Sequence, residues 1–177
     1  MEEILEKARR VSQWAEVYSV SRQETTAVFE ANRLKQVHTR SGSSNALRLA
    51  KDGRIGFATA NRKDSTQKLV DMALETAAFG ATARFEPPSG ASYPQVEVYD
   101  PGVEAIPIDK MVEIGERLVA RIRGASPDIL CEASVSKAVF NIAVRNSAGG
   151  RSEYKKSIFS FGIEGTLIRG SDMLFVG

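Results

Sequence analysis

This 177-residue chain is short of the residues that carry most enzymatic chemistry. It has one histidine, His38, and one cysteine, Cys131. No internal disulfide can form. Structural zinc sites usually take four Cys or His ligands, and catalytic ones usually take three from His, Glu, Asp or Cys, so the usual zinc sites cannot be built from these residues alone. No EF-hand spacing is present. There is no Asn-X-Ser/Thr sequon, and no apolar run approaches the roughly 20 residues that span a bilayer. Met1-Glu2-Glu3 is acidic, unlike the basic-then-apolar opening of a signal peptide. Together these absences lead to an expectation of cytoplasmic residence. Charge of one sign is also lacking. The 24 basic and 22 acidic residues leave a net +2, whereas nucleic-acid binders show a clear basic excess.

What is present fits an ordinary globular chain. Hydrophobic residues make up 42% and charged residues 26%, enough for one good core or two small ones. Ile4, Ala8, Val11 and Ala15 share one face of a helix over 2–13. Acidic residues lie at its start and Arg9 and Arg10 towards its end. From Trp14 the period changes to two. "WAEVYSVSRQ", "TTAVFEANRL" and "KQVHTRSG" read as three strands, the last ending at Ser41-Gly42-Ser43-Ser44. "SNALRLAKDGRIGFATA" reads as a hairpin. A three-residue loop, Lys51-Asp52-Gly53, would pair Leu49 with Ile55 and Leu47 with Phe57. That register makes one face apolar and sets Gly56 as open space beside Arg48.

A helix over 64–79 follows, with Asp64 as cap, Gln67 in capping-box spacing and Gly80 as stop. Its buried stripe is Thr66, Leu69 or Val70, Ala73 and Ala77. Five of the six prolines fall in 85–107, which reads as a linker with "QVEVYD" as a possible short strand. A third helix, 109–124, has Asp109 as cap and Gly124 as stop, with Met111, Gly115, Leu118 and Ile122 on one face. Two further β runs flank "NSAGG", and the last residues are apolar. Either this final strand docks into a sheet, or the chain is a piece of a longer one. Strands run together rather than alternating with helices, which predicts an α+β fold. The expected organisation is an N-terminal domain over 1–84, the linker over 85–107, and the start of a second, β-rich domain over 108–177.

The candidate chemistry is sparse. His38 lies among polar and basic neighbours and reads as an exposed strand histidine rather than a general base or metal ligand. Cys131 reads as a small buried hydrophobe rather than a nucleophile, since a nucleophilic thiol needs a base beside it. Arg33, Lys35, Arg40, Arg48, Lys51 and Arg54 form a basic set without the interleaved aromatics that stack bases. Gly42, Gly53 and Gly56 do not match a dinucleotide fingerprint. Arg48 is the best single candidate for a substrate contact.

Two segments carry a resemblance. Ser41-Gly42, Arg48, Asp52-Gly53-Arg54, Gly56-Phe57-Ala58 and Thr59 stand in an order that resembles the opening domain of the TldD/PmbA family, also called modulators of DNA gyrase. "AVRNSAGGRSEYKKSIFSFGIEG", with Asn146, Ser147, Gly149 and Tyr154, is similar to a later strand pair of the same family. The resemblance implies a zinc metallopeptidase system for peptide maturation or proteolysis. Its His-Glu-X-X-X-His motif would lie in a C-terminal half absent from this sequence, and partner subunits of PmbA or TldE type lack that motif. It implies no cofactor in this chain, zinc in a catalytic relative, a homo- or heterodimer with a TldD/PmbA-type subunit, and an extended peptide in the cleft. A nucleic-acid or gyrase-associated module, or a stand-alone interaction module, is the alternative.

Overall fold

The computed structural model describes residues 1–61, 65–90 and 93–176. Its elements are α1 (Glu2–Arg9), β1 (Trp14–Glu30), β2 (Arg33–Lys51), β3 (Arg54–Asn61), α2 (Thr66–Ala77), α3 (Pro101–Ala105), α4 (Ile108–Ala125), β4 (Leu130–Asn146), β5 (Arg151–Arg169) and β6 (Asp172–Val176). The strands form one six-stranded sheet in the order β3-β2-β1-β4-β5-β6. The α+β class expected from the sequence is what the chain adopts.

Two long strands replace the three expected between Trp14 and Ser44. β1 runs unbroken through "SRQETT", and β2 runs through Ser41-Gly42-Ser43-Ser44, which is strand and not a terminus. The turn falls at Ala31-Asn32, both in the left-handed region at φ 47 and 69. Asn tolerates that conformation, and its side chain adds a reason for its presence. Asn32 Nδ2 donates to Ile129 O at 3.1 Å, and Oδ1 accepts from Cys131 N at 2.8 Å.

The β2–β3 hairpin also differs from expectation. Asp52-Gly53 is a two-residue turn with φ 51 and 72, the primed geometry that matches strand twist. Leu49 therefore faces Gly56, Arg48 faces Phe57 and Leu47 faces Ala58. The reason is helix docking. A Cβ at Gly56 would lie 1.9 Å from Ala73 O, so Gly56 is filled space under α2 and not an opening beside Arg48. The buried face pairs large with small residues, which lets α2 lie close. Phe57 is left 53% exposed on the other face. Gly80 has a similar function, since a Cβ there would sit 1.8 Å from Ile55 O.

Smaller differences follow the same logic. α1 ends at Arg9, and Ser12 Oγ donates back to Ala8 O. Ile4, Leu5 and Ala8 are buried in it. The Asp64 cap lies outside the described residues. Ser65 is the N-cap of α2, and Gln67 donates to Asp71 instead of closing a box. Pro107 precedes α4, so Asp109 sits inside the first turn, and the helix runs past Gly124 to Ala125. "QVEVYD" is not a strand, although Val98 O accepts one bond from Ser157 N.

Packing groups the chain by strand halves, where composition had suggested successive blocks. One compact unit is 1–22, 42–97 and 140–155; the other is 23–41, 98–139 and 156–177. The first unit's core is Ile4, Leu5 and Ala8 of α1 with Leu69, Val70, Ala73 and Ala77 of α2 on Ala15, Val17, Leu47, Leu49 and Ala58. The second unit's core joins Met111 and Val119 of α4 to Ala27, Phe29, Ile129, Cys131, Ala133 and Val135.

Within the second unit Gly115 is pressed on Phe29, whose ring would stand 2.1 Å from a Cβ, while Gly124 has nothing within 4 Å. Gly115→Ala should cost about 1–3 kcal/mol by overpacking. Gly124→Ala, at an open helical position, should stabilise by about 0.5–1 kcal/mol. Urea unfolding of both variants checks the pair.

Candidate functional site

The family-motif residues of the first unit converge on the segment after α2. Arg54 donates to Gly80 O at 3.0 Å, Ile55 N to Ala81 O at 2.9 Å and Ala83 N to Gly53 O at 2.8 Å. Gly53 N itself donates to Gln13 Oε1 at 2.8 Å. Phe85 then packs on Trp14, with ring centroids 5.4 Å apart, and carries the Arg48 guanidinium 4.9 Å above its ring. Arg48 also pairs with Glu16 at 2.5 Å. Residues 80–88 thus form a strap, and Arg48 presses it down by cation–π contact.

Asn146 holds the strap's far end. It is 6% exposed. Its Nδ2 donates to Pro88 O at 3.0 Å, and Oδ1 accepts from Ala148 N and Gly150 N at 3.0 and 2.8 Å. Ser147 fixes the start of β1, its N–H donating to Ala15 O at 2.8 Å and its Oγ accepting from Ala15 N at 3.0 Å. Gly149, at φ 90, completes the turn. Phe57 has its N–H and C=O on the Thr76 hydroxyl, both at 2.9 Å. Ser41 and Gly42 are brought into none of this; Gly42 lies exposed in mid-strand with nothing within 4 Å of a Cβ.

Further along β1 and β2 lies a trough of about 500 Å³. Ser19, Ser21, Ser43, Asn45 and Asn141 line it, with Tyr154, Glu153 and Lys155 at one side. Asn141 Nδ2 donates to Ser21 Oγ at 3.3 Å. The lining offers hydroxyl and amide groups suited to a polar chain, and no imidazole stands by to activate a serine. Of this lining Tyr154 alone belongs to the family motifs. The available signal was the change at period two from Ala15-X-Val17 to Ser19-X-Ser21, and from Leu49-X-Leu47 to Asn45-X-Ser43.

In the second unit Cys131 is fully buried. Burial pushes its thiol up from the ordinary range, with the Arg123 guanidinium pulling it part-way back. His38 is half-buried and not exposed as expected, and its Nδ1 is buried without a hydrogen-bond partner among the described residues. A cleft of about 550 Å³ between the β1–β2 turn and the end of α4 includes Arg33, Glu116 and Arg123. Lys35 pairs with Glu30 at 3.0 Å. The basic set is spread along β2, with Arg54 at the start of β3, and is partly engaged. At the start of α4 the Lys110 ammonium, hydrogen-bonded to Glu113, lowers that carboxyl below its usual range.

A resident zinc ion does not fit these residues. Among the described residues no group of three or more His, Cys, Asp and Glu is placed to hold a metal.

Residues 15–77 match the family model described as PmbA/TldA metallopeptidase domain 1. This segment is similar to a first domain of the PmbA/TldD family. The resemblance read from the motifs therefore holds. Three solved structures have the same fold: TldE from Thermococcus kodakarensis, at 18% identity and TM-score 0.79; and two proteins described as modulators of DNA gyrase. These come from Thermotoga maritima, at 13% and 0.76, and from Bacteroides thetaiotaomicron, at 18% and 0.81. Each match covers 98% of this chain and 40% or 41% of the other. The chain thus spans about two fifths of the length of these structures. No curated protein sequence matches it. No helix among the described residues is long and apolar enough to cross a membrane.

Two measurements test this description. Asn146→Ala should lower stability by about 2–3 kcal/mol, because it strands buried donors. Asn146→Asp keeps the acceptors but sets a buried carboxylate oxygen against Pro88 O, so its cost should grow as pH rises and the carboxyl ionises; thermal unfolding of both variants at pH 4 and pH 7 checks this. The Cys131 thiol should react with a thiol reagent only as fast as the chain unfolds. Because its folded pKa is raised, its contribution is complete below the unfolded thiol's value of about 8.5 and is lost as pH climbs through the folded value. Urea midpoints of wild type and Cys131→Ala, compared from pH 7 to 10, follow that loss.

Proposed function

We propose that this chain is the scaffold, peptide-cleft and partner-binding region of a TldD/PmbA-type zinc metallopeptidase system, without catalytic residues of its own. The observation that supports this most is how the first-domain motif is used. Gly53, Arg54, Gly56 and Arg48 each hold backbone or a packed ring, as do Asn146 and Ser147 beyond the matched segment. None of them is left over as a nucleophile, base or ligand. The hydroxyl- and amide-lined trough further along β1 and β2 fits an extended polar main chain better than it fits a reaction centre. On this reading zinc and its activating groups come from another polypeptide region, and this chain supplies shape and contacts.

A nucleic-acid module draws less support. Three cations of the basic set, Lys35, Arg48 and Arg54, have partners within the chain.

The test is metal analysis and peptide hydrolysis by the purified chain, alone and mixed with a zinc-bearing TldD-type subunit of the same source. We expect far less than one zinc per chain and no cleavage alone, with chelator-sensitive cleavage in the mixture. Chelator-sensitive turnover by the chain alone would overturn the reading.

A further inference from the structure

The middle of the strap is held by one side chain. On one side Ala83 N donates to Gly53 O at 2.8 Å. On the other Pro87 is buried, and Pro88 O accepts from Asn146 at 3.0 Å. Between these anchors Arg84, Phe85 and Glu86 arch over a hollow of about 380 Å³, walled by Gln13, Trp14, Ala50 and Gly53. Among the described residues no hydrogen bond or ion pair reaches these three arch residues. The Phe85 ring alone fastens the arch, against Trp14 and under the Arg48 guanidinium. It is still 44% exposed. The cage around it does not depend on it. Glu16 holds Arg48 at 2.5 Å. The neighbours of Trp14 are bonded in place, Gln13 N to Ala50 O and Ala15 N to Ser147 Oγ.

A cage that outlasts its occupant can exchange it. We propose that Phe85 is a displaceable plug, and that an aromatic side chain of an incoming polypeptide takes its place between Trp14 and Arg48. The present occupant identifies the next one. The cage now takes an aromatic ring from a segment without helix or strand, 83–87. It offers that ring an indole on one side and a cation on another. An aliphatic side chain would forgo the cation–π contact, and a cationic one would meet Arg48. The arch lifts by backbone torsions alone and breaks no hydrogen bond, while Pro87 and Pro88 confine the motion to the residues before them. Phe85 is tethered at both ends and competes as an intramolecular ligand, so an incoming ring has to overcome its high local concentration. The plug therefore selects: a segment with an aromatic residue opens the arch, and one without leaves it shut. This rests on the peptide-cleft part of the function proposed above and involves neither zinc nor cleavage.

The test uses the capped peptide Ala-Arg-Phe-Glu-Pro, a copy of the arch. Two signals report on the cage: the emission of Trp14, which is the only tryptophan, and the NMR resonance of the Arg48 Nε–H, which a ring above or below it shifts. Phe85→Ala should bind the peptide saturably, with a midpoint on the order of millimolar for one ring and one cation. The wild type should bind saturably and about tenfold more weakly, because Phe85 competes. Ala-Arg-Ala-Glu-Pro should move neither signal. Arg48→Met in the Phe85→Ala background should weaken binding several-fold. If circular dichroism shows that Phe85→Ala has not folded, Phe85→Leu, which keeps most of the volume and no aromatic face, takes its part in the same comparison. Equal binding by wild type and variant would mean that the ring lands elsewhere. No response of the wild type at tens of millimolar peptide would mean a fixed plug, and none from the variant would mean no cage. Each of these overturns the proposal, as would indifference to Arg48→Met. None of them bears on the zinc and hydrolysis assay.

Discussion

The first unit depends on how near a helix can come to a strand. Ala73 O of α2 lies where a Cβ of Gly56 would be, and Ile55 O lies where a Cβ of Gly80 would be. Two backbones in direct contact leave no intervening side-chain layer, so α2 covers the outer margin of β3 as well as its face. The Thr76 hydroxyl can then serve Phe57 in place of a neighbouring strand, and residues 80–83 can serve Arg54 and Ile55. The strap that Arg48 and Asn146 secure follows from that closeness. Moving α2 outward by one methyl group would disturb β3, the strap and the lining of Trp14 together.

Much of this was legible in the residues. The change from helical to two-residue period at Trp14, the α2 stripe of Leu69, Val70, Ala73 and Ala77, and the α4 face with Met111 and Gly115 are local patterns, and local patterns carry their own signal. The motif order around Asp52-Gly53-Arg54 and Asn146-Ser147 placed the family. Other features needed partners far along the chain. The β2–β3 register was misread because a uniformly apolar face looked more favourable than one mixing Leu47 and Leu49 with Gly56 and Ala58. Only the presence of α2 overhead makes small residues the better choice. Similarly, Arg48 looked like a substrate contact because neither Glu16 nor Phe85 announces itself as its neighbour. The break expected at Ser41–Ser44 rested on composition, and strand pairing on a long sheet overrode it.

The two margins of the sheet are treated differently. At β3, Gly53 O, Ile55 N and both backbone groups of Phe57 are taken by α2 or the strap. At β5 and β6 the chain presents apolar residues, including Phe161 and the exposed Met173 to Val176.

Asn32 has a consequence for assembly. Its side chain grips Ile129 and Cys131 across a sequence separation of nearly a hundred residues, 99 for the Cys131 bond. The β2–β3 and β5–β6 hairpins close over tight turns, which form quickly, but the seam between β1 and β4 requires the ends of that long excursion to meet. The molecule is thus expected to zip from its flanks inward and to join at its centre last, so this internal seam sets the pace of folding.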